Sequence, residues 1–218
     1  MTAEMLKRVP LFSNLSDREL AAVSSISVVR TYPKHSLIIN EGDTNDSLFV
    51  VLSGKLKVFL SDEEGKEIIL DIKGAGDHFG EMALLDEQPR SACLMCLEKS
   101  RLMVISADHF KDYLLQNPPA GLLVMAELCQ RIRSLNEQVK DLALKNVYER
   151  LAKTLTQLAR QDEDELVIAD KLTQQDLANM VGSSREMVSR IFNDLVKGGY
   201  ITREKNRIVI NQKLPARW

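Results

Sequence analysis

The chain has few of the features that mark a secreted or membrane protein. It contains only three cysteines in 218 residues, and a small odd number argues against a disulfide framework. No apolar run approaches the length of a membrane-spanning helix. Residues 1–10 contain no apolar core of a signal peptide. From these absences we predict a cytoplasmic protein that is not attached to a membrane.

Motifs of common catalytic and metal centres are also missing. The sequence has no nucleophile elbow, no Walker phosphate loop and no carboxylate pair at catalytic spacing. His35, His78 and His109 are scattered without metal-ligand spacing. Cys93 and Cys96 are close, but an offset of three on a strand points two thiols to opposite faces. Buried core cysteines are therefore favoured, and we expect neither an enzyme nor a metal protein.

Charge is spread unevenly along the chain. The net charge is only −2, but residues 183–218 carry eight Lys/Arg and three Asp/Glu, a net +5 that leaves −7 on the rest. A basic C-terminal part on an acidic body suits a local DNA-binding surface. A chance fluctuation of a mixed surface is the alternative. The hydrophobic fraction of 44% supports packed cores, and the length predicts one or two domains.

The first half of the chain shows a change from helical to β-rich patterning. Ser16 and Glu19 fit a capping box at the start of a short helix. From about residue 28 to residue 105, short β-rich runs alternate with turn residues, which indicates an antiparallel sandwich or barrel. The predicted strands include residues 48–52, 56–60, 68–72 and 102–105. A helix is predicted over 107–116, stopped by the prolines that follow.

The longest predicted helix, residues 119–142, carries apolar residues at alternating steps of three and four. These residues, the heptad seam, are Met125, Leu128, Ile132, Leu135, Val139 and Leu142. Such a seam buries a narrow stripe against a partner helix. We favour a parallel homodimer over packing against the chain's own β-rich domain. At about 1.5 Å per residue the helix would be about 36 Å long.

The segment Phe79–Ala92 has the residue types that a cyclic phosphate beside a ribose would need. Gly80 and Glu81 stand ten residues before Arg90 and Ser91. The Arg90 fork suits phosphate oxygens, and Ser91 with backbone N–H groups near Gly80 could add neutral donors. The Glu81 carboxylate only accepts hydrogen bonds, so it suits a sugar hydroxyl.

The last part of the chain has a helix-turn-helix pattern. A helix over residues 147–160 and a polar, acidic loop over 161–165 are predicted to precede it. Thr173 can cap the first helix of the motif, and Gly182 can adopt the positive φ of the turn. The second helix is predicted to begin at residue 184 or 185 and to end before Gly198.

The second helix of this motif has one polar and one apolar face. Its polar residues are Arg185, Glu186, Ser189 and Arg190, and its apolar residues are Val188, Ile191, Phe192 and Leu195. Polar residues at the start of a recognition helix reach base edges in the major groove. Each arginine can bind guanine and Glu186 can accept from cytosine, at about 1–3 kcal/mol per good contact. Alternatively, Glu186 closes a capping box with Ser183.

A hairpin wing is predicted from residues 200–202 and 207–210. Lys205 and Arg207 could bind phosphates there and supply salt-dependent affinity. The alternative is an ordinary solvated turn.

Taken together, the chain from about residue 12 to residue 210 resembles the catabolite-activator (cyclic-AMP receptor) and Fnr family of bacterial transcription regulators. The motifs that carry the resemblance are Asp62–Glu67, Phe79–Ala92, and Gly182–Glu186 with Arg190, in that order and spacing. The family implies an α+β chain with an N-terminal cyclic-nucleotide-binding β-roll (jelly roll), a long dimerisation helix and a C-terminal winged helix-turn-helix. We assign these to residues 1–117, 118–146 and 147–218. An Fnr-type iron–sulfur sensor would need an N-terminal cysteine cluster, and no cysteine precedes Cys93.

The resemblance assigns a ligand role to each matching position. Gly80, Glu81, Arg90 and Ser91 match the phosphate-and-ribose cassette, Leu70 and Met82 the apolar lining, and Arg131, Leu135 and Asn136 the adenine-facing groups. Leu135 stands where a hydroxyl residue usually contacts the base. Asn136 could hydrogen-bond a purine from its own or the partner subunit.

DNA contacts are implied in the same way, with half-sites resembling TGTGA. The predicted DNA-contacting residues are Thr173, Gln175, Ser184, Arg185, Glu186, Ser189, Arg190, Lys205 and Arg207. Among them Thr173 and Gln175 match phosphate contacts. Met187 replaces a polar residue and could contact a thymine methyl group.

Three hypotheses follow from the sequence. In the first, a cyclic nucleotide, most simply cyclic AMP, controls the binding of a homodimer to double-stranded DNA, with RNA polymerase as a further partner. In the second, the same fold responds to cyclic di-GMP or acts without a ligand. In the third, the chain is a nucleotide-binding regulatory subunit that acts on a protein partner.

Overall fold

The computed structural model describes residues 6–44, 46–163, 165–169, 172–204 and 207–215. The chain divides into two compact units, Met1–Leu60 with Leu70–Arg133, and Ser61–Ile69 with Ser134–Trp218. A β-rich first unit and a second unit built mainly from helices agree with the predicted α+β class. The division falls inside the long helix, whereas the predicted domains were bounded at that helix's two ends.

Two four-stranded sheets form the β-rich part within the described residues. Their strands are β1 Ser27–Tyr32, β2 Leu37–Ile39, β3 Ser47–Ser53, β4 Leu56–Ser61, β5 Glu67–Lys73, β6 His78–Phe79, β7 Cys93–Cys96 and β8 Ser100–Ser106. One sheet has the order β1-β8-β3-β6 and the other β2-β7-β4-β5. Strand β8 pairs antiparallel with β1 and β3, and β7 pairs antiparallel with β2 and β4. The structure has a strand at each of the four predicted positions, with small differences at the ends.

Alternation along β3 explains how the sheets pack. Phe49 and Val51 belong to a buried cluster that also takes residues from strands of the other sheet, including Val58. Leu48 and Val50 belong to a second cluster, shared with the helices of the first unit. Successive side chains of a strand point to opposite faces, so one strand joins two cores.

The first unit also contains a 3-10 turn and helices that cover one sheet. The turn is Pro10–Phe12, and the helices are α1 Asp17–Ser25, α2 Glu81–Asp86, α3 Ala107–Gln116 and the first part of α4 Pro118–Leu144, which continues into the second unit. The capping box of Ser16 and Glu19 is confirmed at the start of α1, and α3 has the predicted bounds. Helix α2 was not predicted. It follows Gly80, whose φ of 88° lets the chain turn sharply after β6.

The long helix α4 has 27 residues, which corresponds to about 40 Å. Ala120 and Val124 near its start are buried in the core of the first unit, and Leu128 packs against the same core. The other seam residues, Met125, Ile132, Leu135, Val139 and Leu142, have exposed fractions between 36% and 65%. The seam therefore remains largely uncovered by the described part of its own chain.

The second unit contains the helix-turn-helix and a small sheet. Its elements are α5 Val147–Leu158, β9 Arg160–Asp162, β10 Glu165–Ile168, α6 Gln174–Val181, α7 Arg185–Lys197, β11 Ile201–Arg203 and β12 Ile208–Ile210, with the strand order β11-β12-β10-β9. Two predictions were wrong here. Helix α5 ends at Leu158, and most of the predicted loop 161–165 belongs to a hairpin in which Gln161 pairs with Leu166. Backbone hydrogen bonds hold this hairpin together, and the polar side chains of β9 show no hydrophobic alternation that would predict a strand.

The core of the second unit confirms the predicted apolar face of α7. Val188, Ile191, Phe192 and Leu195 are buried together with Leu151 and Leu155 of α5. No helix in the described ranges is both long enough and apolar enough to cross a membrane.

Candidate functional site

The structure brings Gly80 and Arg90 into direct contact at the start of α2. Arg90 Nη1 donates to the Gly80 carbonyl at 2.7 Å, and Nη2 donates to the Ser47 carbonyl at 2.7 Å. The backbone of Arg90 is fixed as well, because its N–H donates to Asp43 O and its carbonyl accepts from Gly42 N, both at 2.8 Å. These four bonds hold the guanidinium in one place.

Arg90 is a buried cation, with only 4% of the residue exposed. Burial lowers the pKa of Arg90, while the carboxylates of Glu81, Asp46 and Asp43 act in the opposite direction. Arginine nevertheless stays protonated in proteins. The site therefore contains a positive charge that is poorly hydrated, which favours an anionic partner.

Glu81 is the buried acceptor of the same region. The residue is 5% exposed, and its Oε1 lies 3.5 Å from Arg131 Nη1. Its Oε2 is buried and has no hydrogen-bond partner among the described residues. A buried acceptor without a partner costs about 1–3 kcal/mol, so Oε2 is suited to a donor from a ligand, such as a hydroxyl group.

A small cavity lies against these residues. Its lining includes Phe79, Gly80, Met82, Arg90, Ser91 and Arg131. The volume of about 40 Å³ has room for no more than a few water molecules. Ser91 is exposed, and its Oγ lies 4.0 Å from Met82 Sδ. Five of the predicted ligand residues thus line one cavity, and Glu81 pairs with Arg131 beside it.

The other three predicted ligand residues do not line this cavity. Leu70 packs against the cluster between the two sheets and is absent from the cavity lining. Leu135 and Asn136 are exposed and lie in the part of α4 that belongs to the second unit.

Helix α6 starts at the predicted cap. The Thr173 side chain accepts from Asp176 N at 3.0 Å, and Asp176 Oδ2 accepts from Thr173 N at 2.8 Å. Gln175 is exposed, and its Nε2 donates to Asn179 Oδ1 at 2.8 Å. Gly182, with φ 61°, ends the helix in the left-handed conformation that the turn requires.

The start of α7 settles which side chain caps this helix. Ser184 is the N-cap, and its Oγ accepts from Met187 N at 3.2 Å. Ser183 lies in the turn, where its N–H donates to Ala178 O at 3.0 Å. The capping box of Ser183 and Glu186 is therefore not formed, and the Glu186 side chain is exposed.

The predicted DNA-contacting face of α7 is open. Arg185, Glu186 and Arg190 are exposed and Ser189 is half-buried. Arg190 Nη2 lies 2.9 Å from Met187 Sδ, which holds the guanidinium along the helix. An exposed row of two guanidinium groups and one carboxylate at a helix N-terminus can reach base edges in a major groove.

The wing arginine is paired with carboxylates. Arg207 Nε donates to Glu204 Oε2 at 2.5 Å, and Nη2 lies 3.5 Å from Glu165 Oε2. The pKa of Arg207 is raised, and the largest cause is its hydrogen bond to Glu204. The i, i+3 spacing of Glu204 and Arg207 was the available sequence signal for this pair. Lys205 lies outside the described residues.

Histidines and cysteines form no centre in the described ranges, where no three His, Cys, Asp or Glu side chains are grouped to hold a metal ion. Cys93 and Cys96 are buried on β7, as predicted, and Cys129 is exposed. His78 is buried, and its Nε2 lies 3.3 Å from Glu127 Oε2.

Comparison with known proteins matches both parts of the chain. Residues 29–117 match the cyclic nucleotide-binding domain, and residues 149–213 match the Crp-like helix-turn-helix domain. The cAMP-activated global transcriptional regulator CRP of Haemophilus influenzae is 36% identical over 185 residues, 82% of each chain. The chain belongs to the CRP/Fnr family of transcription regulators. Members of this CRP/Fnr family act as regulators and not as enzymes.

Two further comparisons extend over almost the whole CRP/Fnr chain. The CRP-like cAMP-activated global transcriptional regulator of Mycobacterium tuberculosis is 29% identical over 212 residues, 95% of each chain. A solved structure of a CooA mutant from Carboxydothermus hydrogenoformans has a TM-score of 0.78 at 22% identity, and covers 94% of this chain and 91% of that one. At this identity the structural match supports the fold alone.

Proposed function

We propose that this regulator binds a cyclic nucleotide, most simply cyclic AMP, and thereby controls its binding to promoter DNA. The proposal rests on one observation: the buried cation of Arg90 lies in the same region as Glu81 Oε2, a buried carboxylate oxygen that has no hydrogen-bond partner in the described chain. The relatives from Haemophilus influenzae and Mycobacterium tuberculosis, both called cAMP-activated, support the choice of nucleotide.

Each part of such a ligand has a chemically matched group. A cyclic phosphate is matched by the Arg90 guanidinium, with Ser91 Oγ as an added donor. A ribose hydroxyl is matched by Glu81 Oε2, because a carboxylate accepts only. The cavity of about 40 Å³ holds only part of a nucleotide, so the rest of a bound ligand would lie outside it.

The DNA side of the proposal rests on α7 and the heptad seam. A homodimer formed along the seam would carry two recognition helices, which suits a palindromic site of TGTGA-like half-sites. We propose base contacts from Arg185, Glu186 and Arg190. The nucleotide must bind the DNA-competent dimer more tightly than the inactive one, or it shifts nothing. Promoter action in the cytoplasm, with RNA polymerase as a further partner, follows from this proposal.

Calorimetric titration of the full chain with cyclic AMP tests the ligand. We expect Arg90→Leu to abolish detectable binding and Glu81→Ala to weaken it at least tenfold, because a hydrogen bond to a charged group contributes about 1.5–3 kcal/mol. Glu87→Ala is the matched control, since Glu87 is exposed at the end of α2 and pairs with Lys111 instead. Unfolding curves of all three variants separate loss of binding from loss of fold.

The outcomes discriminate between the ligand hypotheses. Absence of binding to cyclic AMP and cyclic GMP would reject the proposed ligand. Binding of cyclic di-GMP alone would favour the alternative effector, which the hydrocarbon side chain of Leu135 at the base-facing position motivates. In DNA-shift assays with a TGTGA palindrome, an unchanged affinity of Arg185→Ala would reject α7 as the reader and favour action on a protein partner.

A further inference from the structure

A larger cavity lies entirely within the second unit, on the exposed side of α5. We call it the C-terminal groove, and its lining includes Leu144, Lys153, Thr156, Leu166, Lys213 and Leu214. Its volume is about 790 Å³, which falls within the range of about 300–1,000 Å³ that is typical of sites for small organic ligands. It shares no lining residue with the cavity at Arg90.

The apolar surface of this groove comes from several separate elements. Leu144 ends α4, Leu166 lies on β10, and Leu214 and Pro215 follow β12. Leu144 and Leu166 have exposed fractions of 76% and 41%, whereas Leu214 is buried. Apolar side chains that meet at one concave surface and remain open to water favour an apolar ligand body.

The charged groups of the groove are predominantly cationic. Lys145, Lys153 and Lys213 line it, and the only carboxylate among its described lining residues belongs to Glu149. Glu149 Oε2 already accepts a hydrogen bond from Asn146 N at 3.0 Å, as part of the capping box of α5. Its carboxylate is directed to the helix start, and three ammonium groups stand against this one carboxylate in the lining.

Two of these ammonium groups are held together by one buried carboxylate. Lys145 Nζ lies 2.7 Å from Asp141 Oδ1, and Lys153 Nζ bonds Asp141 Oδ2. Burial pushes the pKa of Asp141 upward, but the ammonium groups of both lysines outweigh it and hold the pKa below its usual value. The carboxylate is thus charged at neutral pH. A second carboxylate oxygen, Glu137 Oε2, lies 3.9 Å from Lys153 Nζ, so Asp141 and Glu137 together balance Lys145 and Lys153, and Lys213 is the exposed ammonium group of the lining that faces a ligand.

From this combination we propose that the C-terminal groove binds an amphipathic organic anion, with an apolar body on the exposed Leu144 and Leu166 and a carboxylate head at Lys213. A hydrogen bond from an ammonium group to a ligand carboxylate is stronger than a hydrogen bond from a neutral donor. The apolar body contributes about 25 cal/mol for each Å² removed from water. The groove would give the regulator a second ligand input, independent of the cyclic nucleotide.

Titration of the full chain with decanoate, below its aggregation concentration, tests this proposal. We expect saturable binding to the wild type and about tenfold weaker binding to Lys213→Gln. Thr156→Trp, at an exposed position of the lining, should block the groove with a large side chain. Lys197→Gln is the matched control, because this exposed lysine of the same unit ends α7 and does not line the groove. Its affinity should equal that of the wild type.

Comparison ligands and labelled methyl groups complete the test. Decan-1-ol has the apolar body without the anion, and acetate has the anion without the body, so both should bind at least tenfold more weakly than decanoate. Methyl NMR signals of Leu144, Leu166 and Leu214 should shift on addition of decanoate. The proposal fails if the wild type does not bind decanoate, if both groove variants bind it as the wild type does, or if decan-1-ol binds equally well. None of these results bears on cyclic-nucleotide binding.

Discussion

At the scale of single residues, the site at Arg90 depends on a glycine. A Cβ at Gly80 would lie 2.4 Å from Arg90 Nη1 and 2.9 Å from Ser47 O. Both atoms belong to the hydrogen bonds that hold the guanidinium. The same glycine has a φ of 88°, which side-chain-bearing residues rarely adopt. Gly80 is thus required for both backbone conformation and close approach.

A left-handed alanine alone costs about 1–2 kcal/mol of folding free energy. We expect Gly80→Ala to destabilise the protein by more than this, because the clash with Arg90 and Ser47 adds roughly 1–3 kcal/mol. Gly42→Ala is the matched control, since Gly42 has a φ of 83° but a Cβ added there would meet no described atom within 4 Å. Denaturant unfolding measures both costs. Equal destabilisation by the two substitutions would show that Arg90 is not packed against Gly80.

The residue scale also shows how far sequence could predict the site. The spacing of Gly80, Glu81 and Arg90 led to the prediction of a phosphate-and-sugar site, and the structure brings Gly80 and Arg90 into contact, with Glu81 next to them in the chain. The Ser47 carbonyl was not predictable, because it lies 43 residues from Arg90 in the chain and comes to it only through the packing of β3. The pairing of Arg131 with Glu81 likewise depends on tertiary structure, although family resemblance had already pointed to Arg131.

At the scale of secondary-structure elements, α7 depends on its cap. Ser184 satisfies the N–H of Met187, and the exposed residues that we propose to contact bases follow it directly. We expect Ser184→Ala to cost about 1 kcal/mol of unfolding free energy and to weaken specific DNA binding, because the first turn carries Arg185 and Glu186. Ser183→Ala is the control, since the turn is held by the backbone N–H of Ser183 and not by its side chain.

Denaturant unfolding and DNA-shift assays measure these two effects. If Ser183→Ala is as costly as Ser184→Ala, or if Glu186→Ala alone reproduces the loss of stability, then Ser184 does not cap the helix. A loss of DNA affinity in Glu186→Ala with unchanged stability would instead support base contact by Glu186.

Elements were predictable where side-chain pattern and fold agree. The capping box of Ser16 and Glu19, the period-two strands and the heptad spacing each have a direct physical signal in the sequence. Helix α2 has only six residues, too few for a helical period to emerge. The hairpin of β9 and β10 begins with exposed polar residues, so only backbone pairing distinguishes it from a loop.

At the scale of the whole molecule, the division into units was the least predictable feature. The hairpin Ser61–Ile69 belongs to the second unit, where Asn179 Nδ2 donates to Glu67 Oε2 at 3.0 Å. These residues are 112 positions apart. Hydrophobic periodicity describes local elements only, so it contains no information about such a long-range contact.

The exposed heptad seam leads to a prediction for the assembled molecule. In a parallel dimer, Val139 of one protomer would face Val139 of the other at an a position. Val139→Glu would place like charges together, at a cost of about 3 kcal/mol or more, which is above a hundredfold in dimer affinity. Because Val139 is 65% exposed in the single chain, the fold of each protomer should be unaffected. Light scattering should then give the mass of a dimer for the wild type and of a monomer for the variant.

Ser134→Glu provides the matched control for this experiment. Ser134 is exposed on the same helix and lies outside the seam, so the added charge should leave the dimer intact. Binding to a palindromic site should weaken in Val139→Glu and remain at the wild-type level in Ser134→Glu, because two linked recognition helices bind two half-sites together. A dimeric Val139→Glu would show that the seam does not form the interface, and a monomeric wild type with full affinity for the palindrome would show that no dimer is needed.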